Sequence, residues 1–306
     1  MVDIIGKRFW FFAISGIVIL VGIISLLSVG LPSGIEFSAG SMLTVKFEKS
    51  IEYDRFKEEL INLGYTDAII QSAGEGQFLI RTHELSDTEK LELESSLSDR
   101  FGQVSEASFS SVSEQVAAET VYNAAIAVAI AAVGILLYVT WAFRRMPRPL
   151  HYGTCAIVAL VHDALIAMGV FSIVGAILGW EINLMFITGL LAVIGYSVNN
   201  TVVIFDRIRE NLTRGIGANF ESVVNNSLVE TLSRSVNTSL TTLVVVLALL
   251  LFVGATIQNF VVVLIIGIIA GTFSSVCIAP SLLVVWDKKE WGRFIPGRKP
   301  SVNKAS

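Results

Sequence analysis

Asp163 is a carboxylic acid set in a long apolar run, Tyr152 to Leu178, and its position raises the first chemical question. It lies about eleven residues into that run, on the order of 16 Å at 1.5 Å per residue. Hydrocarbon disfavours a charged carboxylate, so Asp163 could exchange a proton or ion along a path, or stay neutral or Arg-paired as a lock between helices. His162 precedes it and projects about 100° away around the helix, toward a different neighbour, where a structural hydrogen bond is the expected role.

A second constellation lies between Ile182 and Asn211. The stretch begins as apolar sequence, acquires Tyr196, Ser197, Asn199 and Asn200, and leaves through Asp206, Arg207, Arg209 and Glu210. Gly189, Val193, Tyr196, Asn200 and Val203 fall on one helical stripe at spacings of three and four. Asn200 reaches roughly the depth of Asp163, within one or two helical turns, and Thr238, Thr241 and Thr242 stand at a similar depth on the next apolar segment. These groups could form a hydrated polar layer, or interhelical hydrogen bonds worth about 0.6 kcal/mol each. Arg234, at the start of that segment, could answer a buried carboxylate, snorkel to lipid phosphate or anchor the helix end. The Asp206 to Glu210 cluster has pairs at helical spacing that suit a structural role.

The elements that carry these residues must be membrane helices. The chain has 306 residues, 53% hydrophobic and 16% charged, and a mean hydropathy of +0.70, which places it outside the soluble globular class. The net charge of −4 discourages a nucleic-acid role. Six stretches reach spanning length: Phe9 to Val29, Val121 to Phe143, Tyr152 to Leu178, Ile182 to Arg207, Val236 to Val253 and Phe260 to Trp286. The first follows Lys7 and Arg8 and is too long for a signal-peptide core, so it is expected to remain as a span. Lys and Arg gather near Lys7, Arg144, Arg207, Arg234 and Lys288, whereas the turns near Gly179 and Gly254 have none. Both termini are therefore expected in the cytoplasm of a multi-pass inner or cytoplasmic membrane protein.

The expected domains follow. Residues 1–31 form the N-terminus and first span, 32–119 an extracytoplasmic domain, 120–287 a five-helix bundle and 288–306 a cytoplasmic tail. Within the extracytoplasmic segment, Ser41 to Phe47 alternates like a strand, Tyr53 to Leu63 has helical spacing, and Ala68 to Gln71 and Phe78 to Arg81 flank a turn at Gly74-Glu75-Gly76. Thr88 to Phe101 is helical again and Val104 to Val112 closes the pattern, an order that suits a small ferredoxin-like α+β unit. Residues 212–235 read as an amphipathic helix lying along the membrane surface. Gly169, Gly175, Gly189, Gly195, Gly267 and Gly271 allow close helix approach.

No phosphate loop, nucleophile elbow or metal-ligand cluster stands out, and Cys155 and Cys277 lie in separate apolar segments unsuited to a disulfide. The expected protein is therefore not an enzyme and holds no cofactor or metal; an ion gradient or a partner supplies any energy.

The residues also carry a resemblance. Gly34-Ile35-Glu36-Phe37-Ser38-Ala39-Gly40, Val161-His162-Asp163, Ile194-Gly195-Tyr196-Ser197-Val198-Asn199-Asn200, Phe205-Asp206-Arg207-Ile208-Arg209-Glu210-Asn211 and Arg234-Ser235 with Thr238-Ser239 and Thr241-Thr242 are similar to motifs of the SecF group in the SecD/SecF family. The likeness extends over nearly the whole chain. It implies a six-helix half-transporter of the resistance-nodulation-division (RND) superfamily that pairs with a SecD-like subunit and uses the proton-motive force, or a sodium gradient, late in protein export. The implied partners are SecD, the SecYEG channel, SecA indirectly, the translocating preprotein and YajC. Asp163 and Arg234 match family positions linked to proton conduction or its support. Two departures stand out: the family often has a carboxylate where this chain has Asn200, and Asp with paired Gly where it has Glu36 and Ser38-Ala39-Gly40. An amide cannot exchange a proton, so Asp163 or the partner would have to. The alternatives are a non-conducting scaffold for a SecD-type partner and half of an RND small-molecule or lipid exporter.

Overall fold

The computed structural model describes residues 3–48, 51–72, 76–252 and 255–294. The Gly74-Glu75 part of the expected turn and residues 295–306 of the expected tail lie outside them. The elements in chain order are α1 (Arg8–Ser28), α2 (Ile35–Ser38), β1 (Gly40–Phe47), α3 (Tyr53–Asn62), β2 (Ile69–Ser72), β3 (Gln77–Thr82), α4 (Asp87–Phe101), β4 (Val104–Val112), α5 (Glu114–Ala142), α6 (Pro149–Leu178), α7 (Leu184–Thr213), α8 (Phe220–Phe252), α9 (Ala255–Phe273) and α10 (Ala279–Asp287). Among the described residues, six helical segments are long and apolar enough to cross a membrane, and the protein is a polytopic α-helical membrane protein with a small α+β unit. Two compact units emerge: residues 32–126 with 175–184, and the remainder of the chain.

In the α+β unit the four strands pair antiparallel in the order β2-β3-β1-β4. Alternation on β1 and β3 sends Leu43, Val45, Phe47, Phe78 and Ile80 inward to meet Phe56, Leu60, Leu93 and Leu97 of α3 and α4. Phe56 stacks on Phe78 with ring centroids 4.1 Å apart. Ser86 and Glu89 form a capping box that starts α4. Ala39 enters β1 at φ 63° and ψ 171°, backbone that glycine adopts readily and a Cβ resists.

The loop between α6 and α7 belongs to the same unit. Gly34 donates to the Ile182 carbonyl at 2.8 Å and Ile182 to that of Pro32 at 2.7 Å. Arg81 binds Glu181 at 3.1 Å and also donates to the Ser33 carbonyl and Ser38 Oγ. Burial pushes the Glu181 carboxyl above its ordinary range, against the opposing pull of Arg81.

In the helical unit, the expected membrane-surface helix is corrected: α8 is one uninterrupted helix from Phe220 to Phe252. The sequence turns from polar to apolar near Arg234 but has neither Gly nor Pro to break the backbone. Val223, Val224, Ser227, Leu228, Thr231 and Ser235 are buried on its inward face, in place of a headgroup contact. Likewise α7 continues to Thr213, beyond the expected end at Arg207.

The final span holds a π-helical turn at Ser274–Ile278 between α9 and α10. Pro280 follows it. In an unbroken α-helix its ring would meet the carbonyl four residues back, and the wider turn, closed by Ala279 N–H to the Ser274 carbonyl, absorbs that conflict. Gly267 and Gly271 on α9 face Val193 and Ser197 on α7, which lets the two helices approach; a Cβ at Gly195 would meet nothing within 4 Å among the described residues.

Candidate functional site

Asp163 sits at the centre of the helical unit with 1% of its surface exposed. Three elements bring donors to it. Ser197 of α7 donates to Oδ2 at 2.5 Å, Ser274 of the π turn donates to the same oxygen at 2.8 Å, and His162 Nδ1 lies 2.9 Å from Oδ1. No Lys or Arg pairs with it among the described residues. The carboxylate is therefore solvated by hydroxyls and an imidazole, with no fixed cation to hold it ionised.

His162 reaches both the carboxylate and a second helix. Its Nε2 lies 2.7 Å from Ser15 Oγ on α1, and its ring stacks near Phe273 at 6.2 Å. The expected contact with a different neighbour is thus present, but the ring also faces Asp163.

Around this centre lie two further polar clusters. Thr201 Oγ1 and Ser275 Oγ are 2.9 Å apart, and Ser275 donates to the Ser197 carbonyl at 3.2 Å. Asn200 donates to Ser239 Oγ at 3.3 Å, and Thr272 donates to Ser239 at 2.7 Å. Asn200 is buried beside α8 and α9 and makes no hydrogen bond to Asp163.

The expected polar layer is narrower than the sequence suggests. Thr238 and Thr241 are exposed, Thr242 is half-buried, and all three hydroxyls bond carbonyls of their own helix. The period of α8 turns Ser235 and Ser239 inward and Thr238 outward. Asn199 is exposed, and the half-buried Tyr196 packs among Val246, Val261 and Ile268 with its hydroxyl unpaired. Arg234 is exposed and lines a groove of about 420 Å³ with Asp206, Arg207, Glu210 and Glu230, so it does not answer Asp163.

The charged end of α7 is tied to α8. Arg207 pairs with Glu210 at 2.5 Å and with Glu230 at 2.6 Å, Asp206 pairs with Arg209, and Asn211 reaches Ser227 at 3.0 Å and Glu230 at 2.9 Å. Ser15, Thr201, Thr272, Ser274 and Ser275 were not among the residues expected at the site. The signal was present for the last two: a hydroxyl pair inside an apolar run, shortly before Pro280.

Residues 92–289 match the family model described as protein export membrane protein SecD/SecF, C-terminal. The chain is 42% identical to protein translocase subunit SecF of Thermobaculum terrenum over 312 residues, covering 98% of each. The chain belongs to the SecD/SecF family. SecF of Anaerolinea thermophila, another member of the family, is 40% identical with 98% of this chain and 99% of that one covered. Fused relatives are longer: against SecDF of Bacillus subtilis the identity is 33%, over 94% of this chain and 38% of that one. A crystal structure of a Thermus SecDF, titled a translocon-associated membrane protein, superposes with a TM-score of 0.83 at 31% identity and covers 94% of this chain. This chain spans 38% of that SecDF.

Proposed function

We propose that this chain is the SecF half of a two-part export machine, which with a SecD-type partner uses the proton-motive force to assist the late, extracytoplasmic stage of protein export. The observation that carries the ionic part is the environment of Asp163. A carboxyl group inside an apolar bundle, hydrogen-bonded to Ser197, Ser274 and His162 and paired with no cation among the described residues, can gain and lose a proton. In this reading Asp163 takes the ion-path role that the amide of Asn200 cannot perform. Family membership supports the export role, with the preprotein as cargo, SecYEG as channel, SecA as the ATPase that acts indirectly and YajC as a further partner. The chain catalyses no reaction of its own, and the α+β unit lies outside the membrane with both termini in the cytoplasm.

Exposed polar groups on two spans suggest where the partner fits. Asn199, Asn237, Thr238 and Thr241 are exposed on α7 and α8, in sequence apolar enough to span a membrane. Amides facing lipid are costly, so a SecD-type half covers these groups. One observation favours a second reading as a non-conducting scaffold: Asn200 lies in a cluster with Ser239 and Thr272 that contains no titratable group.

Release of a secreted protein from vesicles holding this chain, its SecD-type partner and the channel tests the reading. A protonophore stops release if protons drive it, whereas inhibition by a sodium ionophore alone assigns the drive to sodium. Gradient-driven release that survives Asp163→Asn supports the scaffold, with the coupling in the partner.

A further inference from the structure

Three contacts join α1 to α6 with the same spacing on both helices. Ser15 meets His162 at 2.7 Å, Gly22 lies against Gly169, and Ser25 Oγ lies 2.9 Å from Ser172 Oγ. Only the first contact contains a group that titrates. It is also the one that reaches Asp163, through the other nitrogen of the same ring.

The chemistry of that ring makes α1 sensitive to the charge of the pair. With Asp163 ionised and the imidazole neutral, Nδ1 carries the hydrogen, because a nitrogen lone pair facing a carboxylate would repel it. Nε2 is then an acceptor, and Ser15 must spend its hydroxyl hydrogen on the ring. Add one proton to the pair. If the ring keeps it, both nitrogens carry hydrogen; if the carboxyl keeps it and donates to Nδ1, the ring hydrogen moves to Nε2. In both forms Nε2 becomes a donor toward Ser15 Oγ. Ser15 is then free to return its own hydrogen to a backbone carbonyl one turn back in α1, so both bonds form together. The contact gains further when the ring holds the charge.

We propose that His162 transmits the protonation of Asp163 to α1, gripping that helix more firmly when the pair holds the extra proton. His162 is thus a positioning residue, and α1 is the helix that leads in sequence to the α+β unit. The inference rests on the ion-path reading of Asp163. Around the ring, α1 contributes Ser15, the last span contributes Phe273, and α6 contributes Asp163, the one charged group in contact with it among the described residues. The remaining charges on α1 are remote, at its first residue, where Arg8 holds Glu221 and Glu290.

Spin labels report the effect in the full chain with its SecD-type partner in vesicles. After Cys155 and Cys277 are replaced by Ala, labels go on Leu27→Cys and Val161→Cys, which are 83% and 48% exposed. The distance distribution is expected to be narrower at about pH 5 than at about pH 8.5. Ser15→Ala, which leaves the Ser197 and Ser274 bonds to Asp163 intact, should give the broad distribution at both values. His162→Gln, which can bridge the same atoms but does not titrate, should make the distribution independent of pH. Equal widths in the parent protein, or a pH response that persists in Ser15→Ala, overturn the proposal. Failure of the ion-path reading shows separately, as gradient-driven release that survives Asp163→Asn.

Discussion

Gly169→Ala on α6 is the smallest change that tests how α1 is held. A Cβ at that position would lie 2.6 Å from the Gly22 Cα, a backbone atom that cannot swing aside. Ordinary contact requires roughly 3.4 to 4 Å, so α1 must retreat by about 1 Å. That movement stretches Ser25 to Ser172 from 2.9 Å and Ser15 to His162 from 2.7 Å, toward the limit of a hydrogen bond. Overpacking costs about 1–3 kcal/mol. Two interhelical hydroxyl bonds at about 0.6 kcal/mol each bring the expected loss to about 2–4 kcal/mol. Denaturant unfolding of the full chain in lipid bicelles should show it, together with a longer distance between labels on α1 and α6. Gly134→Ala is the control, because a Cβ there meets nothing within 4 Å. It should be neutral or stabilising by up to about 1 kcal/mol. Equal stability of Gly169→Ala and Gly134→Ala, with unchanged label distances, would refute the account of the seam.

Two further predictions concern the α+β unit. Ala39→Gly should stabilise it by about 1 kcal/mol by relieving the backbone at φ 63°, as measured by urea unfolding followed within that unit. Glu89 and Glu181 should give opposite pH dependence. Hydrogen bonds from Ser86 hold the Glu89 carboxyl below its usual range, so its contribution is present above that range and is lost as pH falls through the lowered value; Glu89→Gln should flatten this loss. Burial raises Glu181, so the folded unit binds its proton more tightly than the unfolded chain. Its contribution is greatest in acid and declines as pH rises from the ordinary carboxylate range through the raised value, and Glu181→Gln should remove the decline in unfolding midpoints taken across a pH series.

Much of the architecture could be read from hydropathy, because spanning length and strand alternation leave strong periodic signals. Asp163 also stood out, since a carboxyl in apolar sequence has few bland explanations. Its surroundings were harder to read. Ser274, the first residue of the π turn, donates to Asp163, and neither that turn nor the contact is revealed by an ordinary helical period. Thr238, Thr241 and Thr242 lay at a suitable depth but on another face of α8, because depth follows the count of residues whereas facing follows the angle. The separate surface helix was inferred from a change in polarity, yet only the backbone can end a helix, and nothing between Phe220 and Phe252 breaks it. Arg234 was expected at the start of a span but lies midway along the unbroken α8, and both that position and its separation from Asp163 needed the fold.

The central claim is that Asp163 gains and loses the ion that drives export. It is tested most directly by gradient-driven release of a secreted protein with Asp163→Asn, at matched levels of the assembled complex with the SecD-type partner. Asn keeps the size of the side chain and one acceptor for the Ser197 and Ser274 hydroxyls, but it cannot carry a proton. The account predicts that release falls to the level seen without a gradient while assembly persists; release equal to that of the parent protein would contradict it.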